Sequence, residues 1–198
     1  DITIRNNKVY GNSNGIFTMA KVGGILEQCQ RINVLYNHFH LNGTAGNGTE
    51  HNAYIQGYKN VMEGNYFGWL VNGSSGSSLK TRGSQEIIRY NWFDAGARAI
   101  DMVQPDGIFD GFVTYPDFGT DYVYGNVIVN DSGHGGGSYR TIHYGGDNEG
   151  ELDPQYGGGN SPVNYRKHLY FFNNTVFHAN PTSQQRQYFL QLSWQDTV

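Results

Sequence analysis

The chain has 198 residues, enough for one domain with a sizeable core, and a net charge of −4 at a pI near 5.9. Only 15% of residues are charged, against 28 Gly, 15 Tyr and 11 Phe, which argues against a helical bundle and for an all-β chain rich in turns. With 13 Lys plus Arg and an acidic balance, nucleic acid is disfavoured as a partner, so any anionic ligand has to be met by a local basic patch.

No apolar run approaches the ~18 residues that a membrane-spanning helix needs. The single cysteine, Cys29, excludes an internal disulfide framework and a cysteine-based zinc site. The chain opens on DITIRNN and closes on SWQDTV, both in mid-pattern. One domain over 1–198 is expected, as a piece of a longer chain with terminal coils or caps missing; its exposed end coils invite end-to-end or homo-oligomeric association.

From the N-terminus onward one short pattern recurs: apolar, two variable residues, Asn, one variable residue, apolar. It reads Ile4-Asn7-Val9, Val34-Asn37-Phe39, Met62-Asn65-Phe67, Ile88-Asn91-Phe93, Val123-Asn126-Ile128 and Phe171-Asn174-Val176. The asparagines lie 30, 28, 26, 35 and 48 residues apart. A strand, an Asn turn and a second strand at this spacing are too short for a βαβ unit. They predict coils of a parallel β-solenoid with variable loops inserted between coils, the asparagines tolerating the tight-turn conformation and laddering their amides. A β-sandwich or propeller is the alternative, with Asn42-Gly43 and Asn72-Gly73 as hairpin turns.

Counting back from the asparagines registers the strands between them. Gly57 and Gly83 each stand eight residues before theirs, which aligns AYIQG (53–57) with LKTRG (79–83). Ala53 and Ile55 then stack on Leu79 and Thr81 facing inward, while Tyr54 and Gln56 stack on Lys80 and Arg82 facing solvent. The same count from Asn37 reaches Cys29 and puts Leu26 and Gln28 on the outward rows. RAIDMV (98–103) adds Asp101, with Arg98 as a bracing partner, and TIHYGG (141–146) adds His143 or Tyr144. His51 opens the strand that carries Tyr54. The expected product is a ribbon of polar and aromatic groups across adjacent coils.

The segments HNAYIQG, GNYF, SLKTRGSQEIIRYNWFD, IDM, GNVIVND, IHYGGDNEG and YFFNNTVF together resemble bacterial secreted β-helix proteins of the pectate-lyase-like group. That group carries a His-Asn-x-Tyr strand, a Lys-Ser-Arg-like strand and a final Asn-Asn-Thr coil. Here Thr81 stands where the group has Ser, and its Pro-Asn-Gly-Gly loop is reduced to Pro105-Asp106-Gly107. The resemblance implies a right-handed parallel β-helix, a secreted location and a relation to polysaccharide lyases; its motifs fix no substrate.

Lytic cleavage of a uronate polymer needs a cation on the carboxylate, a base for the C5 proton and an acid for O4. Arg82 offers the carboxylate grip, Lys80 a base if the neighbouring cation lowers its pKa, and Tyr54 an acid, the last two being exchangeable. His51 joins them as base or substrate contact, and Gln56, Arg98, Asp101, His143 and Tyr144 as substrate contacts. The partner is then an acidic polysaccharide. No cofactor is assigned, although Asp147, Glu149, Glu151 and Asp153 are oxygen ligands of the type calcium prefers, without EF-hand spacing.

Each of these residues also has a plain role, since outward Lys and Arg commonly serve solubility and a strand histidine commonly serves packing. Two other functions compete. A β-helix glycoside hydrolase would use paired carboxylates such as Asp101, Asp106 and Asp110, with GHG at 133–135 as a weak motif. A non-catalytic glycan-binding or structural solenoid, such as a tailspike or surface-filament part, would stack sugars on Tyr54, Tyr58, Tyr66, Trp69 and Trp92.

Overall fold

The computed structural model describes residues 1–18, 30–103, 119–131, 133–134, 139–145, 168–179 and 187–192. Among them the chain is all β, with no helix, and forms three parallel sheets of six strands each. The first sheet holds β1 (Ile2–Arg5), β4 (Ile32–Leu35), β7 (Val61–Glu63), β10 (Ile87–Arg89), β13 (Thr120–Tyr124) and β16 (His168–Phe172). The second holds β2 (Lys8–Tyr10), β5 (His38–His40), β8 (Tyr66–Phe67), β11 (Trp92–Ala95), β14 (Val127–Asp131) and β17 (Thr175–Ala179). The third holds β3 (Ile16–Phe17), β6 (Ala53–Ile55), β9 (Ser77–Thr81), β12 (Arg98–Val103), β15 (Tyr139–Gly145) and β18 (Gln187–Leu192).

Consecutive strands go to the three sheets in rotation, and each strand pairs in parallel with the strand three places on. This stacking fits a parallel β-solenoid. Every strand pairing among the described residues is parallel, so the hairpins of a sandwich or propeller do not form, and Gly43 and Gly73 lie in turns rather than hairpin tips.

Alternation along each strand supplies the core. Val34, Met62, Ile88 and Val123 line it from the first sheet, Phe39, Phe67, Phe93 and Ile128 from the second, and Ala53, Leu79, Ile100 and Ile142 from the third. The phenylalanines stack ring on ring, with centroids 5.2 Å (Phe39–Phe67) and 4.8 Å (Phe67–Phe93) apart. Ring burial of this kind contributes about 1.5–3 kcal/mol per side chain.

All six asparagines of the sequence pattern form one ladder between the first and second sheets. Each ladder asparagine from Asn7 to Asn126 donates both its backbone N–H and its amide Nδ2 to the Oδ1 of the next, at 2.9–3.1 Å. The left-handed residue of each turn, however, is the one before the ladder asparagine: Asn6, Tyr36, Gly64, Tyr90, Gly125 and Asn173, with φ from 54° to 66°. The ladder residue is chosen for its amide, and its neighbour absorbs the strain. Two of those neighbours need to be glycine. A Cβ on Gly64 would fall 2.4 Å from the Tyr36 ring, and one on Gly125 would fall 2.6 Å from the Tyr90 ring.

A second, chemically mixed ladder lines the corner between the third and first sheets. Ile32 N–H donates to Asn60 Oδ1 (3.3 Å), Asn60 Nδ2 to Glu86 Oε1 (3.3 Å), and Glu86 N–H to Asp121 Oδ1 (3.0 Å). Nothing in the sequence pattern announces it.

Candidate functional site

The third sheet carries the predicted row. Register pairs Phe17 with Tyr54, Tyr54 with Lys80, Lys80 with Asp101, Asp101 with His143, and His143 with Gln191. Ile55, Leu79, Ile100 and Ile142 occupy the alternate positions in the core, so the row lies on the sheet's other face. Arg82 continues the strand beyond Thr81: its N–H donates to Ile55 O at 2.9 Å, and Ser84 N–H donates to Gly57 O at 3.1 Å, which sets Arg82 beside Gln56.

Two expectations are corrected. The row was expected to face solvent, but Lys80 is 7% exposed, Arg82 9%, His143 2% and Asp101 0%, with Gln56 and His51 buried as well. Tyr54 and Arg98 are half-buried and mark where the row meets solvent. Tyr144, expected on this surface as an alternative to His143, instead lies in the core, where its hydroxyl donates to the buried Asp121 (3.3 Å). Alternation allows only one of the two adjacent residues on the row, and Ile142 holds the core position.

Asp101, expected only as a support, is the centre of the arrangement. Its Oδ2 accepts from Ser77 Oγ (3.1 Å) and Arg98 Nη1 (3.1 Å) and lies 3.5 Å from Lys80 Nζ. Its Oδ1 accepts from His143 Nδ1 at 2.7 Å. Burial pushes the Asp101 carboxyl up, but the charge of Arg98, the hydrogen bond from His143 and the charge of Lys80 outweigh it and hold the group well below the usual carboxylate range. Asp101 is therefore an anion. It follows that His143 Nδ1 carries the proton of that hydrogen bond, and in the neutral ring Nε2 is the acceptor nitrogen.

Ser77 was missed by sequence reading, because strict alternation from Leu79 turns it inward. Its N–H donates to His51 Nδ1 (2.9 Å) while its hydroxyl donates to Asp101, so Ser77 ties His51 to the carboxylate. With Nδ1 used as an acceptor, neutral His51 bears its proton on Nε2 and is a donor at that atom. Its ring meets Tyr54 edge-on, with centroids 5.5 Å apart. Lys80 Nζ lies 6.0 Å from the Tyr54 ring centroid. Arg98 also donates from Nη2 to Ser75 O (3.4 Å), which fixes the guanidinium.

The aromatic residues grouped for sugar stacking do not share one surface. Tyr54 belongs to the third sheet; Tyr66 and Trp92 stand on the second, where both donate to Asp94, and Tyr58 is buried. Trp69 stacks on His134 of the GHG motif, with centroids 3.9 Å apart, and His134 Nδ1 lies 3.2 Å from Asp131 Oδ2. Leu26, Gln28, Cys29, Pro105, Asp106, Gly107, Asp110, Gly135, Asp147, Glu149, Glu151 and Asp153 lie outside the described residues.

Among the described residues no group of three or more His, Cys, Asp or Glu side chains is placed to hold a metal ion. Among the described residues no helix is long and apolar enough to cross a membrane. Family models, curated proteins and solved structures give no match to this chain.

Proposed function

We propose that the chain is a right-handed parallel β-helix, secreted, whose third sheet binds an acidic, uronate-containing polysaccharide and cleaves it by β-elimination. The observation that carries this reading is the row Tyr54–Lys80–Asp101–His143 with Arg82 and Arg98 beside it. Lys80 and Arg98 both pair with Asp101, and Arg82 follows Lys80 two residues along the chain, which gathers three cations at one place in a chain whose net charge is −4. A substrate carboxylate is the kind of group such cations bind, and they would also acidify C5 by stabilising the enolate-like charge that develops there.

Within this reading Lys80 works as a cation, because it is already paired with Asp101. It shares the substrate carboxylate with Arg82. His143, oriented by Asp101, accepts the C5 proton at Nε2. The C5–H electrons form the C4–C5 double bond, the C4–O4 bond breaks, and Tyr54 at the half-buried margin gives its phenolic proton to O4. Proton return from His143 to Tyr54 closes the cycle. His51 Nε2–H, Gln56 and Arg98 serve as contacts to the sugar.

The test is to incubate the protein with alginate, pectate, hyaluronan and chondroitin and follow the ultraviolet absorbance of the new double bond. One polymer is expected to give product, with Tyr54→Phe and His143→Gln each slowing it by roughly 10²-fold or more. New reducing ends without the absorbance would replace elimination by hydrolysis. Binding without cleavage would favour a glycan-binding solenoid, which the burial of Lys80 and Asp101 also suits.

A further inference from the structure

The outer face of the first sheet carries two rows of different character. Along one, Glu63, Arg89 and Tyr124 satisfy one another: Arg89 Nε donates to Glu63 Oε2 (2.7 Å), Arg89 Nη1 to Tyr124 OH (2.9 Å), and Tyr36 OH to Glu63 Oε1 (2.8 Å). Along the other, Asn33, Val61, Ile87 and Tyr122 follow one another in register, and Tyr122 stacks on Tyr170 with centroids 5.0 Å apart. Beyond this second row runs the sheet corner, where Arg31, Lys59 and Gln85 take the same left-handed turn position in successive coils, with φ of 56°, 61° and 55°.

These elements bound a groove of about 440 Å³. Its floor is Val61, Ile87 and Tyr122, one wall is the cationic corner, and among the described residues no acidic side chain lines it. Adjacent strands are about 4.8 Å apart, so three apolar rungs give a flat floor about 10 Å long with two cations on neighbouring rungs of its rim. Lys59 has no carboxylate partner among the described residues. Arg31 Nη1 reaches only Asp1 Oδ2 at 3.8 Å, with both side chains about 60% exposed (60% and 63%), a pair of little energetic weight.

We infer that this groove binds a planar aromatic carboxylate: the ring system lies on Val61, Ile87 and Tyr122, and the carboxylate meets Arg31 and Lys59. Charge complementarity chooses the anion, and a floor of branched aliphatic and aromatic side chains chooses a flat apolar body over a hydrated one. The site lies on a different sheet from the proposed cleavage site and does not depend on that reading.

The experiment titrates the protein with 2-naphthoate by calorimetry and by the shifts of tyrosine side-chain NMR signals, with the neutral isostere 2-naphthamide as control. The expected result is saturable naphthoate binding that perturbs Tyr122. Naphthamide should bind at least tenfold more weakly, and the double variant Arg31→Gln, Lys59→Gln should lose naphthoate affinity by the same factor. Gln85 already occupies the equivalent corner, so glutamine is compatible with the turn at both positions. Equal affinity for naphthoate and naphthamide, undiminished binding by the double variant, or no binding up to about 5 mM would each overturn the proposal.

Discussion

Replacing Asp101 by asparagine keeps the size of the side chain and removes its charge. Four groups lose the anion they share: Ser77, Lys80, Arg98 and His143. The Lys80 and Arg98 side chains are only 9% and 18% exposed, so water compensates them poorly. Stranding buried charges in this way costs about 3–5 kcal/mol, and the partial exposure of Arg98 places the expected loss near the lower end. At a urea m-value of about 2 kcal/mol/M, the unfolding midpoint at pH 7 falls by about 1.5 M. The pH dependence carries a sign that can be checked. Because the folded pKa of Asp101 lies below its ordinary 3.8, its contribution is complete above that value and is lost as pH falls toward the folded pKa. Wild type and Asp101→Asn should therefore begin to converge only as pH falls below about 4, and meet once it has passed the folded pKa. Adding Lys80→Met to the variant should recover part of the loss at pH 7. A variant within about 0.5 kcal/mol of wild type at pH 7, with an unchanged acid limb, would refute the reasoning.

Two further perturbations test the frame around the site. Asn91 accepts from Asn65 N–H and Nδ2 and donates to Met62 O and Asn126 Oδ1, all at 2.9–3.0 Å, whereas Asn7 is an exposed end rung. Asn91→Ala should cost about 3 kcal/mol or more and Asn7→Ala under about 1 kcal/mol in urea unfolding; equal losses would show that the ladder carries no such weight. Burial and the hydrogen bond to Asp94 raise the Tyr66 phenol to about 12. Its contribution to stability is present below its ordinary value of 10 and fades as pH rises through about 12. Tyrosinate absorbance, compared with Tyr66→Phe, should show one tyrosine titrating about 2 pH units late, and Asp94→Asn should bring it down; a Tyr66 that ionises with the exposed tyrosines would remove the Asp94 interaction.

The parts of this structure legible in the sequence are those where one residue type recurs at one place in every coil. The six asparagines are such a set, because an amide that accepts from the coil before and donates to the coil after stacks best on its own kind. Register followed from them: Tyr54 over Lys80 needed only a count back to Gly57 and Gly83, and Asp101 joined the row by taking RAIDMV as the next coil with Ile100 and Met102 inward. The ladder of Asn60, Glu86 and Asp121 was illegible, since three residue types share the position and leave no self-similarity. Burial of the row was illegible for a different reason. Alternation tells which face of a sheet a side chain takes and is silent on whether that face is covered. The role of Ser77 was hidden by the same rule, which fails at the first residue of a strand.

The buried charges of the third sheet need an explanation beyond folding. Coil stacking is already secured by the inner rows and the asparagine ladder, and taking a carboxylate or an ammonium out of water costs several kcal/mol per ion before any pairing. Apolar residues of similar volume at Lys80 and Asp101 would stabilise the sheet as well or better. An arrangement that is costly for the fold, holds its carboxylate ionised and orients a histidine through it supports the chemical role proposed above. On the proposed reading, an anionic group brought to the half-buried margin between Tyr54 and Arg98 meets the field of the clustered Lys80, Arg82 and Arg98. The burial of these cations beside an ionised carboxylate is what separates the proposed acidic-polymer site from a solubilising patch, whose charges stay in water.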